Sequence, residues 1–143
     1  MSNDTSDPLH QAVPLAETFD MRSVRQSADE CVVELAWAEN LCTSGGILHG
    51  GALMALADTA GAVLAFSNLP PNATGTTTIE SKTNFFSAVK QGSTVTATAR
   101  PLHVGRTTIV IETEIRNHEG RLVTKTTQTQ AILSASGSAT KAR

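Results

Sequence analysis

One stretch constrains this chain more than any other. GALMALADTAGAVLAF, Gly51 to Phe66, is almost wholly apolar, rich in Ala and Leu and free of Pro, a composition that favours helix. It is shorter than the roughly 20 apolar residues a bilayer span requires, and it carries a charge in its middle at Asp58. A helix that is apolar on every side must be buried within protein. The cluster Asn68, Pro70, Pro71 and Asn72 stops it.

Around this segment the period is two. Residues 18–38 hold CVVELAW, rich in branched and aromatic side chains, and predict two N-terminal strands. From Thr74 onward TGTTTIESKTNFFSAV, STVTATARPLHV, TTIVIETEIRN and RLVTKTTQTQAIL read as four more strands. Turns at Lys90–Gly92, Gly105–Arg106 and Glu119–Gly120 separate them. The last two turns are short enough for antiparallel hairpins, and Pro101 marks a bulge or an edge position. The expected fold class is therefore α+β, an antiparallel sheet curled about a central helix. With 143 residues there is room for one domain, expected over 9–134 between loose tails at 1–8 and 135–143. So small a sheet leaves part of the helix uncovered, and association with a second copy is the remedy.

Composition removes several function classes. A formal net charge of −2 and no basic block give no electrostatic case for nucleic acid or a membrane surface. Three per cent aromatics and no Tyr leave no platform for stacking bases. Cys31 and Cys42 are too few for a disulfide framework, and no C-x-x-C or His/Cys cluster points to a metal. Cys42 lies near the most unusual loop, but no base is identifiable for it. The opening MSNDTSDPLH is polar and acidic, unlike a signal or transit peptide, so cytoplasm is the expected compartment. Serine hydrolase chemistry is disfavoured because G-x-S-x-G does not occur.

The chemistry concentrates in GGILHGGALMALAD, Gly45 to Asp58. Burying an unpaired carboxylate costs several kcal/mol. Asp58 is thus either a structural acid with a partner, or a residue on a side of the helix that reaches solvent, or a catalytic group. Gly50 and Gly51 open the helix, where free amides and the positive end of the dipole can polarise a carbonyl; the alternative is a glycine turn that lets the chain enter the core. Eight residues of helix separate Gly50 from Asp58, about 12 Å. A reacting group must lie about 3 Å from both its activating donor and its base or nucleophile. One helix cannot achieve this, whereas two antiparallel copies, one from each subunit, can bring Asp58 of one beside Gly50 of the other.

His49–Gly50–Gly51, with an acid nine residues after the His, resembles the hotdog-fold thioesterases, and within them the phenylacetyl-CoA and hydroxybenzoyl-CoA thioesterase type. The resemblance runs from about Phe19 to Leu133 and includes SKTNFFSAVKQG, HVGRTTIVIETEI and EGRLVTKTTQTQAI. It implies hydrolysis of acyl-CoA by a homodimer or a homotetramer built as a dimer of dimers, with no cofactor and no metal. It makes Asp58 the general base or nucleophile, gives the Gly50 N–H the task of polarising the thioester carbonyl, and has His49 orient the loop. Six residues before the His such enzymes carry Asn or Gln; this chain has Thr43 there, with Asn40 three residues earlier. Thr76 falls near a Ser or Thr that contacts the site in the family, although β-propensity accounts equally well for a Thr in this strand. Lys90 and Arg106 are the cations best placed by family position for the phosphates of CoA, ahead of Lys82 and Arg121. The small residues Ala55, Ala60, Gly61 and Ala62 leave space beside the helix for an aryl-acetyl, benzoyl or short-to-medium aliphatic acyl group. Two other readings stay open: an acyl-thioester hydratase or dehydratase, for which no partnering His is evident, and a non-catalytic acyl-CoA-binding protein.

Overall fold

Six antiparallel strands form one sheet in the order β1-β2-β4-β5-β6-β3, and a single long helix lies across it. The structure, a computed structural model, describes residues 6–135; the segment 136–143, and with it nearly all of the expected C-terminal tail, lies outside the described residues, as do residues 1–5 of the N-terminal one. Two short helices, α1 (Pro8–Ala12) and α2 (Pro14–Thr18), come first. α1 begins at Pro8, the last residue of the segment expected to be a loose tail, and α2 lies within the expected domain. Each starts with Pro, whose fixed φ and missing N–H suit the first helical position, and the Asp7 side chain caps α1 by accepting from the Leu9 N–H at 2.9 Å. Leu9 and Ala16 are buried, so this pair closes one end of the core.

The strands are β1 (Arg22–Gln26), β2 (Cys31–Ala36), β3 (Ala73–Phe85), β4 (Thr94–Val104), β5 (Thr108–Asn117) and β6 (Leu122–Ser134). The two turns expected to be hairpins join β4 to β5 and β5 to β6. Gly120 makes the second possible with φ +78. Pro101 sits beyond the last β2–β4 pair, Cys31 with Ala99, and the β4–β5 register shifts between Pro101 and His103. The bulge expected there is present, and it explains how Pro is tolerated in an inner strand. β3 does not pair with its successor; it crosses to the far side and pairs with β6, which leaves one side of a 13-residue strand unpaired at the sheet's edge.

The helix α3 (Gly50–Phe66) packs against β2, β3, β4, β5 and β6. Leu53, Leu56, Ala57, Ala60, Leu64 and Ala65 are buried against the sheet. Gly51, Met54, Ala55, Asp58 and Ala62 follow one another at helical spacing and are only partly covered or exposed. The chain's own sheet therefore shields one side of α3 and leaves a strip containing Asp58 open. The opposite face of the sheet is polar, with Glu112 and Glu114 of β5 paired to Lys125 and Arg116. Among the described residues no helix is long and apolar enough to cross a membrane.

Candidate active site

The loop that feeds α3 is held from several sides. Cys42 and Leu48 form an isolated antiparallel bridge, the Thr43 N–H donates to Ile47 O at 2.8 Å and Gly46 N–H donates back to Thr43 O at 3.0 Å. Gly46 takes φ +74 to close this turn. The Trp37 indole Nε1–H donates to Gly46 O at 2.9 Å and pins the turn to the end of β2. The Leu48 N–H donates to Val89 O and the His49 N–H to Leu41 O, so the chain enters the helix in one geometry.

His49 is the N-cap of α3, and its Nδ1 accepts from the Gly51 N–H at 2.8 Å. A ring nitrogen here does what Ser or Asp does at most helix starts, and it fixes the neutral ring as the Nε2–H tautomer. The Gly51 amide is thereby committed to the cap. The Gly50 N–H donates to nothing among the described residues and borders a cleft of about 360 Å³ lined by Thr43, Ile47, Leu53, Phe85 and Phe86 among others. A Cβ on Gly50 would stand 3.1 Å from the Phe85 ring, so glycine lets the ring lie directly on the helix start.

Asp58 is half-buried two turns further along. Its Oδ1 accepts from Thr78 Oγ1 at 2.8 Å and from Gln128 Nε2 at 3.1 Å. No partner meets Oδ2 among the described residues. One carboxylate oxygen is anchored and the other is free, on the open strip of α3. Within one chain Asp58 and Gly50 are more than two turns apart on the same helix, separated by the roughly 12 Å that helical rise imposes.

The remaining candidates fall into three groups. Thr43 lines the cleft with Gly50, and its Oγ1 accepts from Gly45 N–H at 3.3 Å. Thr76 is in the network around Asp58 but does not touch it; its one hydroxyl proton lies between two acceptors, Gln130 Oε1 and Ala131 O, both at 3.0 Å. Asn40 is exposed in the 3₁₀ turn Glu39–Leu41 and stands outside the cleft lining. Lys90 and Arg106 are exposed in their turns and pair with no carboxylate among the described residues. Arg121 is exposed too, whereas Lys82 donates to Asn84 Oδ1 at 2.8 Å.

Two residues at the carboxylate escaped the sequence reading. Thr78 shares its strand face with Thr76, so a pattern of alternate threonines could not choose between them. Gln128 belongs to a segment, TKTTQTQ, that is polar at every position and so gives no sign of which face is buried. The space expected beside Gly61 for an acyl group is filled by Gln128: a Cβ on Gly61 would lie 2.0 Å from Gln128 Oε1. Neither cysteine has the marks of a nucleophile. Burial pushes the Cys31 thiol up to about 11. The Cys42 thiol is also raised, by desolvation and then by Glu39, and it donates to Ala38 O at 3.2 Å.

The antiparallel sheet laid about one long central helix is the hotdog fold of thioesterases. The chain belongs to the thioesterase superfamily, whose model matches residues 45–124, and it is a thioester hydrolase. It is 34% identical over 119 residues to ComA2 of Bacillus subtilis (strain 168), a candidate esterase, with 83% of this chain and 94% of that one covered. It is 32% identical over 109 residues to the 1,4-dihydroxy-2-naphthoyl-CoA hydrolase of Listeria monocytogenes, covering 76% of this chain and 87% of the relative. A hypothetical thioesterase of Streptococcus pneumoniae solved with coenzyme A superposes with a TM-score of 0.78 at 27% identity, covering 88% of this chain and 94% of its own.

Proposed function

We propose that the chain hydrolyses the thioester of aryl or short-to-medium-chain acyl-CoA to the free acid and CoA, at a site shared by two subunits of a homodimer or of a homotetramer built as a dimer of dimers. The observation that carries this reading is Asp58: Oδ1 is held by two donors, Oδ2 meets no partner among the described residues, and the carboxylate lies on the strip of α3 that its own sheet leaves open. A structural acid deep in the core would have both oxygens met within the chain. A second copy of the open strip, running antiparallel, brings Oδ2 of one subunit to the free Gly50 N–H of the other.

The chemistry asks little more. The Gly50 N–H, at the positive end of the helix dipole, draws charge onto the thioester oxygen as the carbonyl carbon is attacked. Either Oδ2 takes a proton from the attacking water, or Oδ2 itself attacks and water opens the resulting anhydride. In both routes the C–S bond breaks, sulfur leaves as CoA, and the second oxygen of the acid comes from water. Thr43, at the lip of the cleft, holds the water or the carbonyl where relatives use an amide. Ile47, Leu53, Phe85 and Phe86 give the acyl group an apolar wall, and Lys90 and Arg106 are the cations offered to the phosphates. A relative named for hydrolysing a naphthoyl-CoA and a neighbour solved with CoA support the same substrate class.

Thiol release from a panel of aryl and aliphatic acyl-CoAs tests the reading. Asp58→Ala is expected to lose roughly 10²–10⁴-fold in kcat while remaining folded. Gly50→Pro removes the N–H at a position where Pro suits a helix and should also be inactive. Sharing of the site is tested by refolding the two inactive variants together. Half of the dimers are then mixed, each with one intact site, so about a quarter of wild-type activity returns. A mixture that stays inactive overturns the shared site, and an active Asp58→Ala overturns the role of Asp58.

A further inference from the structure

β6 presents one row of side chains to α3, and that row is polar. Thr124, Thr126, Gln128 and Gln130 alternate along the strand and all four are buried. A buried amide is destabilising unless its donors and its acceptor are met, so two glutamines in a core of this size need an account. Gln130 has one. Its Oε1 accepts from Thr76 Oγ1 at 3.0 Å and its Nε2 donates to Thr78 Oγ1 at 2.5 Å. Gln128 is satisfied on one side only: Nε2 donates to Asp58 Oδ1 at 3.1 Å, while the buried Oε1 has no partner among the described residues.

The helix gives way to admit it. A Cβ on Gly61 would stand 2.0 Å from Gln128 Oε1 and 2.5 Å from its Cδ, distances that no packed side chain tolerates. Glycine inside a helix is itself less stable than alanine. Two unfavourable features, a helical glycine and an orphaned amide oxygen, thus meet at one point. What that point supplies is a hydrogen bond to Asp58.

We infer that Gln128 is a positioning residue for Asp58, and that Gly61 is the opening in α3 through which its amide reaches the carboxylate; the inference rests on the catalytic role of Asp58 proposed above. With Thr78 and Gln128 both donating to Oδ1, the carboxylate cannot turn about its Cβ–Cγ bond without losing two bonds, and Oδ2 is kept facing the open strip. The orientation of every group in the network follows from the carboxylate. It only accepts, so the Thr78 hydroxyl must point towards it and offer its lone pairs to the Gln130 amide, whose carbonyl then faces the Thr76 hydroxyl. Turning the Gln128 amide over would set its carbonyl against the carboxylate, so the same argument fixes its orientation and leaves Oε1 as the atom without a partner.

The test uses the full chain and an acyl-CoA that the wild type turns over, with kcat, KM and the melting temperature measured for four proteins: wild type, Asp58→Asn, Gln128→Met and Gly61→Ala. Gln128→Met keeps the volume and removes both the donor and the orphaned oxygen. It is expected to melt at or above the wild-type temperature, with kcat down about 10–100-fold and KM within about two-fold. Gly61→Ala leaves the amide chemically intact but displaces it from Asp58, and it should show the same loss of kcat at unchanged KM. Wild-type kcat in either folded variant overturns the inference, and should Gln128→Met fail to fold, Gly61→Ala decides alone. An active Asp58→Asn means instead that the catalytic reading itself has failed, which the same table of rates makes distinguishable.

Discussion

Cys31, Val33 and Leu35 of β2, Val95, Ala97 and Ala99 of β4, and Ile109, Ile111 and Ile115 of β5 face α3 with apolar side chains. Thr124, Thr126, Gln128 and Gln130 of β6, with Thr76, Thr78 and Thr83 of β3 beside them, meet the same helix with hydroxyls and amides. The first region does what cores do: it removes apolar surface from water at about 25 cal/mol per Å². In the second, Thr83 meets Thr126 at 2.8 Å, and Gln130, Thr78 and Gln128 lead to one oxygen of Asp58. Such bonds exchange water for protein partners at modest net gain, and two buried polar atoms of β6, on Thr124 and Gln128, meet no partner among the described residues, as does the Thr113 hydroxyl, the one polar side chain in the inward row of β5. Burial holds this molecule together on one side of the helix, and geometry is held on the other.

That division can be broken or sharpened by substitution. Ile111→Ala, in the apolar half, is expected to cost about 2–5 kcal/mol of stability and leave kcat per folded molecule unchanged; denaturant melts paired with thiol-release rates check both. A parallel fall in kcat would mean that the two halves are not separable. Thr78→Val should do the reverse, with kcat down about 10–100-fold for the loss of one bond to a charged acceptor and a melting temperature close to wild type. The Cys31 thiol supplies a test by pH. Its value rises from 9.0 to about 11 on folding, so the folded state holds the proton more tightly. That stability is complete below pH 9 and is lost as the pH climbs from 9 to 11, by roughly 2 kcal/mol. Urea melts at pH 8 and at pH 10.5 should differ for the wild type by that much more than for Cys31→Ala. The smallest effect is a gain. Thr124→Val replaces a buried hydroxyl that has no partner and should stabilise by about 1 kcal/mol with no change in rate; a loss of activity would extend the positioning network beyond the residues that lead to Asp58.

The same contrast explains what could be read from the sequence. The apolar half announced itself through alternation in CVVELA and TIVIETEI, and α3 through an unbroken Ala/Leu run, so the helix, the last two hairpins and the Pro101 bulge were all legible. His49, Gly50 and Asp58 were visible as a spacing. The polar half was not, because β6 is polar on both faces over residues 124–130 and alternation is the only guide to which face turns inward. Thr76 was singled out where Thr78 makes the contact with Asp58, since both lie on one face of β3 and only the tertiary register distinguishes them. The crossing of β3 to the far edge beside β6 has no local signature either. α1 and α2 span five residues each, too few for a helical period to show, and Pro8 and Pro14 were the available markers.

The hydrogen bond from the Trp37 indole to Gly46 O has an optical consequence. The chain holds one Trp and no Tyr, so its near-ultraviolet emission comes from a single ring anchored to the turn that carries Thr43 and leads into the helix start. Whatever enters the cleft and shifts that turn changes the surroundings of this one fluorophore. The protein therefore carries its own label, and ligand titrations can be followed at the mouth of the cleft without attaching a dye.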